Sequence, residues 1–378
     1  MSPDSPPQRV LFVFGTRPEA IKLCPVVLHM RTRPREFDVK VCVTAQHREM
    51  LDQVLAAFEV QPEHDLNVMR PNQTLSQSTA RMIAALEPVI LQEHPDLVIV
   101  QGDTTTTFCG ALAAFYQRVP VGHVEAGLRT GDLWQPFPEE LNRVLTTRLT
   151  RLHFAPTEAS AANLRAESVD DAGIFVTGNS GIDAVLLVRD RLAAGTLSGY
   201  QGVALDPARK LIVVTAHRRE SFGDGFLRLC AAIRQLAARP DVQVIYPVHP
   251  NPNVRGPVEA QLGSLPNVHL IAPLDYVPFV DLMRQSYLLL TDSGGVQEEA
   301  PSLGKPVLVL REKTERPEAV QAGTVKLVGT DVEKILSEAA ALLDDPANYQ
   351  RMSRIHNPYG DGHASRRIAD AITQTLRP

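Results

Sequence analysis

Three carboxylates stand where apolar runs break, and their spacing suits the movement of a proton to and from carbon. Asp103 follows Leu97-Val98-Ile99-Val100-Gln101-Gly102, Glu125 follows Val121-Gly122-His123-Val124, and an acid of the pair Glu139-Glu140 opens a helical stretch directly after Pro138. Acids gathered around one ligand repel one another, which favours proton exchange near neutral pH. Each acid taken singly is equally suited to capping a helix or pairing with an arginine. Arg17 and Arg129 oppose a cation among these acids, so no metal is expected.

A second set of residues suits a phosphate. Gly15-Thr16-Arg17-Pro18-Glu19-Ala20 follows the run 10–14, so a glycine turn, free N–H groups and a fixed positive charge coincide at a helix start. It is neither the spaced dinucleotide fingerprint nor a P-loop, since Lys22 has no preceding glycine and no following Ser or Thr. Asp292-Ser293-Gly294-Gly295 repeats the pattern: the two glycines let backbone N–H groups approach a diphosphate, and Glu299 lies further along the helix, able to accept from ribose hydroxyls. Plain capping by Ser293 is the simpler reading of that string. His217-Arg218-Arg219 follows another apolar run, and a bound diphosphate there would favour the imidazolium that the arginines oppose. Gln46-His47-Arg48-Glu49-Met50 is a further polar cluster that either lines a ligand or begins a helix.

The elements that must position these residues alternate regularly. Strands are expected at 10–14, 39–44, 97–101, 120–123, 153–155 and 174–177, then at 210–215, 243–247, 268–271, 287–291, 306–310 and 325–327. Helical patterns cover 20–30, 48–58, 75–93 and 106–116. Continuous apolar strands alternating with helices imply parallel sheets covered on both faces. About twelve strands exceed one comfortable core, and the loose stretch 193–202 marks a joint between 177 and 210. The domains are expected at 1–182 and 183–359, with a helix in 360–378 packing back on the first. Ligands of such sheets bind at the carboxyl ends of strands, where all the residues above fall.

The chain has 378 residues, 44% hydrophobic and 21% charged, with a formal net charge of −5. That size suits roughly two domains, and the balance argues against nucleic acid as the main partner. No apolar run reaches the roughly 20 residues that span a bilayer, and the polar, Pro-rich first residues lack a signal peptide's regions, so a cytoplasmic location is expected. Cys24, Cys42, Cys109 and Cys230 sit among apolar neighbours and read as buried free thiols.

Taken in order, FGTRPEAIK, TAQHREML, GDTTTT, GHVEAGLRT, PFPEELNR, TAHRRESFG, YPVHPNPNV, TDSGGVQEEAPSLGKPVLVLR, TERPEA and AGTVKLVGTD resemble the non-hydrolysing bacterial UDP-N-acetylglucosamine 2-epimerases, from about residue 10 to about residue 368. The resemblance implies a GT-B-type fold, two Rossmann-like domains with parallel sheets and an inter-domain active-site cleft. It implies a homodimer without cofactor that interconverts UDP-N-acetylglucosamine and UDP-N-acetylmannosamine for surface-polysaccharide precursors. By the same resemblance Asp103, Glu125 and Glu139 are the acids, with Arg17, Lys22 and His217 in binding or catalysis. Phe279 stands beside the uracil, and Ser293, Gly294, Gly295 and Glu299 form the UDP motif. Gln46, His47 and Met50 would bind a second UDP-N-acetylglucosamine as activator. A glycosyltransferase and a sugar-releasing hydrolytic epimerase are the competing readings; the intact QHREM string favours the non-hydrolysing type.

Overall fold

Strands form here because runs of β-branched and aromatic residues leave no polar face for water. Residues 10–14 are each at most 1% exposed, and full burial of one large apolar side chain contributes roughly 1.5–3 kcal/mol. The computed structural model describes residues 6–45, 48–70, 72–218, 222–314 and 316–376. It divides into two compact units, one holding the residues up to 184 and those from 360 onward, the other residues 185–359.

The first unit contains β1 (Gln8–Phe14), β2 (Phe37–Val43), β3 (His64–Asp65), β4 (Leu97–Gln101), β5 (Val121–Val124), β6 (Leu152–Ala155) and β7 (Ile174–Val176). They form one parallel sheet in the order β3-β2-β1-β4-β5-β6-β7. In register, Phe12 pairs with Val41 on one side and Ile99 on the other. The last helix, Ala364–Leu376, packs on the helix Arg17–Arg31. Its start is held by buried Asp183, whose carboxylate accepts from the N–H groups of Ala364 (3.2 Å) and Ser365 (2.8 Å).

The second unit contains β8 (Lys210–Thr215), β9 (Val242–Pro247), β10 (Val268–Ile271), β11 (Leu288–Thr291), β12 (Val307–Val309) and β13 (Val325–Leu327). Their order is β10-β9-β8-β11-β12-β13, again all parallel. The twelve strands expected from sequence are present with ends shifted by at most two residues. β3 was not expected: two residues are too few to carry a periodic signal, and it exists only as an edge pairing with Cys42 and Val43. All four cysteines are buried and free, and burial pushes the Cys42 and Cys109 thiols up to about 12.

Strand order reverses once in each sheet, between β1 and β4 and between β8 and β11. Diverging loops at such a reversal leave a crevice beyond the strand ends. The loops after β1 and β4 carry Gly15-Thr16-Arg17 and Gly102-Asp103-Thr104, and those after β8 and β11 carry His217 and Asp292-Ser293-Gly294-Gly295. Among the described residues no helix is long and apolar enough to cross a membrane.

Candidate active site

The turn after β1 differs from its sequence reading in two ways. Thr16 caps the helix Arg17–Arg31 in a capping box with Glu19. The Glu19 carboxylate accepts from the N–H groups of Gly15 (3.0 Å) and Thr16 (2.7 Å), so these two N–H groups of the turn are already used. Nor does Gly15 serve a left-handed turn, for its φ is not positive. A Cβ there would lie 2.0 Å from Thr44 Oγ1 and 2.8 Å from Thr106 Oγ1; the glycine is required by close packing between strand ends. What this turn offers a ligand is the half-buried Arg17 side chain.

Asp103 sits in the turn between β4 and the helix Thr105–Tyr116. Its Oδ2 accepts from Arg143 Nε (2.9 Å) and Nη2 (2.6 Å), and its carbonyl accepts from Asn142 Nδ2 at 2.9 Å. Arg143 also donates to Glu140 at 2.8 Å. The cation facing this acid is therefore Arg143. Arg129, named from sequence as a cation near the acids, instead forks onto Glu167 (2.6 and 2.9 Å) and reaches Thr147.

Glu125 follows β5 with φ 64°, a conformation that costs a non-glycine residue about 1–2 kcal/mol. Its two oxygens are held separately, Oε1 by Lys22 and Oε2 by the Gln101 amide. The ion pair is largely buried on both sides, which makes its geometry more constraining than a surface pair's. Neighbouring His123 is fully buried and donates from Nε2 to the Gly102 carbonyl at 2.7 Å, fixing the backbone that leads into Asp103. Burial, above all, lowers its imidazole from 6.5 to about 3. The unfolded chain protonates this ring near 6.5 and the folded chain only near 3, so its share of stability is complete above pH 6.5 and is lost as pH falls toward 3. Below pH 6.5 this one group is expected to remove about 1.4 kcal/mol of unfolding free energy per pH unit. Urea unfolding at pH 7 and pH 5 measures it: His123→Gln should flatten the dependence, and equal slopes in both proteins would contradict neutral burial.

Glu139 and Glu140 begin the helix Glu139–Leu149 and have different surroundings. Glu140 is 1% exposed; it accepts from the N–H groups of Thr130 and Gly131 and pairs with Arg143. It therefore anchors the loop that precedes the helix. Glu139 is only half-buried and lines a cavity of ≈ 420 Å³ together with Thr16, Arg17, Met50, Asp103 and Pro138. Four sequence-predicted residues, Arg17, Met50, Asp103 and Glu139, thus share one cavity. Gln46 and His47 lie outside the described residues.

In the second unit, Asp292 follows β11 and is fully buried. Its Oδ2 accepts from the N–H groups of His217 and Arg218, both at 2.7 Å, and its Oδ1 lies 3.4 Å from His217 Nδ1. The His217 ring stacks on His249 with centroids 5.4 Å apart. Ser293 precedes the helix Gly294–Glu299 but its side chain makes no capping bond, so the simpler capping reading fails. Neither Gly294 nor Gly295 has positive φ. Among the described residues, a Cβ at Gly295 would meet Ser293 Oγ alone, at 4.0 Å. One at Gly294 would meet the Arg316 side chain at 3.4 Å, an ordinary contact, so neither backbone nor packing requires these glycines. Glu299 ends that helix near Tyr276, whose phenol burial first, and the Glu299 charge second, push well above its usual range. Phe279 is half-buried one turn after Tyr276 on the helix Tyr276–Gln285.

Residues 29–373 match the family model described as UDP-N-acetylglucosamine 2-epimerase. A Salmonella typhimurium protein of that name is 58% identical over 369 residues, covering 96% of this chain and 98% of its own. The chain belongs to the UDP-N-acetylglucosamine 2-epimerase family. Among solved structures, that of a family member from Neisseria meningitidis bound to UDP-GlcNAc superposes at a TM-score of 0.88 with 50% identity, over 97% of this chain and 100% of that one. A glycotransferase of kitacinnamycin, 14% identical at a TM-score of 0.65 over 98% of this chain and all of its own, shares the GT-B-type fold alone. The resemblance to the bacterial non-hydrolysing epimerases is borne out by these matches.

Of the residues that hold the acids in this family member, Lys22 was named from sequence while Arg143 and the Gln101 side chain were missed. Arg143 was legible in part, since it lies three residues after Glu140 on one helix face. Asp292 and Glu19 left no comparable signal, because their partners come from backbone N–H groups and from other loops.

Proposed function

We propose that this chain interconverts UDP-N-acetylglucosamine and UDP-N-acetylmannosamine at carbon 2 by eliminating UDP and adding it back. The observation that carries the reading is the shared cavity of Arg17, Asp103 and Glu139, with Asp103 and Glu125 each held by its own cation. The carbon 2 hydrogen has no adjacent carbonyl and is a poor acid. Breaking the anomeric carbon–oxygen bond puts positive character beside it and makes it removable. The bonding pair leaves with UDP, one carboxylate takes the proton, and 2-acetamidoglucal remains. Protonation from the opposite face, with UDP re-adding to the anomeric carbon, gives the epimer. Proton-handling groups on two faces account for several acids. Arg17, His217 and the open Ser293-Gly294-Gly295 helix start stabilise charge developing on the diphosphate. Glu299 accepts from the ribose and Phe279 lies by the uracil.

Two further readings accompany it. Met50 lines the same cavity as Asp103, which supports an activating second UDP-N-acetylglucosamine beside the reacting one, bound with Gln46 and His47. Phe115 and Tyr116, 55% and 64% exposed, border a groove of ≈ 520 Å³ with Leu149, which supports a face for a second copy of the chain.

The test is incubation with UDP-N-acetylglucosamine alone, followed by NMR. Appearance of UDP-N-acetylmannosamine supports the proposal. Free N-acetylmannosamine would mean a hydrolytic enzyme, and no conversion without a sugar acceptor would mean a transferase.

A further inference from the structure

Glu19 is a carboxylate, 1% exposed, that the reaction above does not use. One oxygen, Oε2, accepts from the N–H groups of Gly15 and Thr16 immediately before Arg17. The other, Oε1, accepts from the Thr104 hydroxyl at 2.7 Å and lies 3.2 Å from the Thr107 hydroxyl. Thr104 is the residue after Asp103 and caps the helix that follows. Thr107 in turn donates to the Gln101 carbonyl at 2.6 Å, and the Gln101 side chain holds Glu125. One turn after Glu19 on the helix Arg17–Arg31, Lys22 holds the other Glu125 oxygen. The turn after β1 and the turn after β4 are thus joined through a single side chain of fixed reach.

We infer that Glu19 is a positioning residue: its carboxylate spans the turns after β1 and β4 and sets Arg17 and Asp103 at the separation the reaction needs. The inference rests on the proposed epimerase reading. Burial raises the Glu19 carboxyl above its ordinary range, so an ionised acid here costs stability, and a role in function accounts for its presence. Reach matters more than charge. A glutamine of the same length can accept from Gly15 and Thr16 through its oxygen and donate to the Thr104 hydroxyl through its amide, as capping boxes with Gln do. An aspartate keeps the charge but is shorter by one carbon–carbon bond, about 1.5 Å, and cannot meet both turns at once.

The test compares Glu19→Gln with Glu19→Asp in the full chain, each checked for folding by its thermal midpoint. Glu19→Gln should keep kcat within about threefold of the parent. Glu19→Asp should lower kcat by about 10–100-fold, the scale of an ångström's misplacement, with KM changed less than about threefold. Amide hydrogen exchange gives a readout independent of activity: in Glu19→Asp, exchange at residues 102–104 should rise at least about tenfold while the β5–β7 half of the sheet is unchanged. A Glu19→Asp protein with parental kcat and parental exchange would overturn the inference. So would a Glu19→Gln protein as impaired as Glu19→Asp, which would assign the role to charge. If the parent chain itself fails to epimerise, the functional reading falls, and the exchange comparison still decides whether Glu19 ties the two turns.

Discussion

Asp103→Asn is expected to lower kcat roughly 10²–10⁴-fold, the usual worth of one general acid or base, and to leave UDP affinity within about twofold. Arg143 donates two hydrogen bonds to Asp103, both to Oδ2, and among the described residues Oδ1 accepts no hydrogen bond from the protein. That leaves one oxygen for the substrate's proton while the other fixes the side chain. An asparagine retains the shape and one acceptor but cannot carry the proton at neutral pH. Because His217, Phe279, Ser293, Gly294, Gly295 and Glu299, proposed to hold UDP, lie in the second unit, and Arg17 keeps its side chain, the substitution should separate turnover from binding. Steady-state kinetics with calorimetric titration of UDP checks both. Unchanged turnover would remove Asp103 from proton transfer, and a parallel loss of UDP affinity would reassign it to binding.

The second large effect is on stability. Gly15→Ala places a methyl group 2.0 Å from Thr44 Oγ1, inside any allowed contact, where Thr44 and Thr106 are both fully buried and bonded to each other at 2.9 Å. Neither hydroxyl can turn away without losing its partner in a place that water does not reach. Overpacking of this kind costs about 3 kcal/mol, so the urea midpoint should fall markedly with little change in slope. A loss under about 0.5 kcal/mol would show that Thr44, after β2, and Thr106, on the helix after β4, accommodate the methyl, and that the packing account of Gly15 is wrong.

Gly15 also shows where the sequence was legible and where it was not. Its position after a buried strand marked the strand's end correctly, because periodicity and burial are properties of consecutive residues. The reason for the glycine was misjudged, because the atoms that exclude a side chain come from residues 44 and 106, on other elements. The same division runs through the site. Asp103, Glu125, Glu139 and His217 could be named because each follows a recognisable strand or opens a helix. Their partners Arg143, Lys22, Gln101 and Asp292 could not be paired with them, since ion pairs and hydrogen bonds between loops obey no spacing rule along the chain. Glu139 and Glu140 read alike in sequence; only burial separates the acid on the cavity wall from the one that anchors a loop. The two-residue β3 is defined by its neighbour and not by its own composition.

The most direct test follows the hydrogen on carbon 2. The chain is incubated with UDP-N-acetylglucosamine in heavy water, and the UDP-linked sugars are read by NMR. The account predicts deuterium at carbon 2 of the UDP-N-acetylmannosamine formed, with Asp103→Asn and Glu125→Gln slowing incorporation in step with turnover. Epimer that retains its original hydrogen at carbon 2 would contradict it.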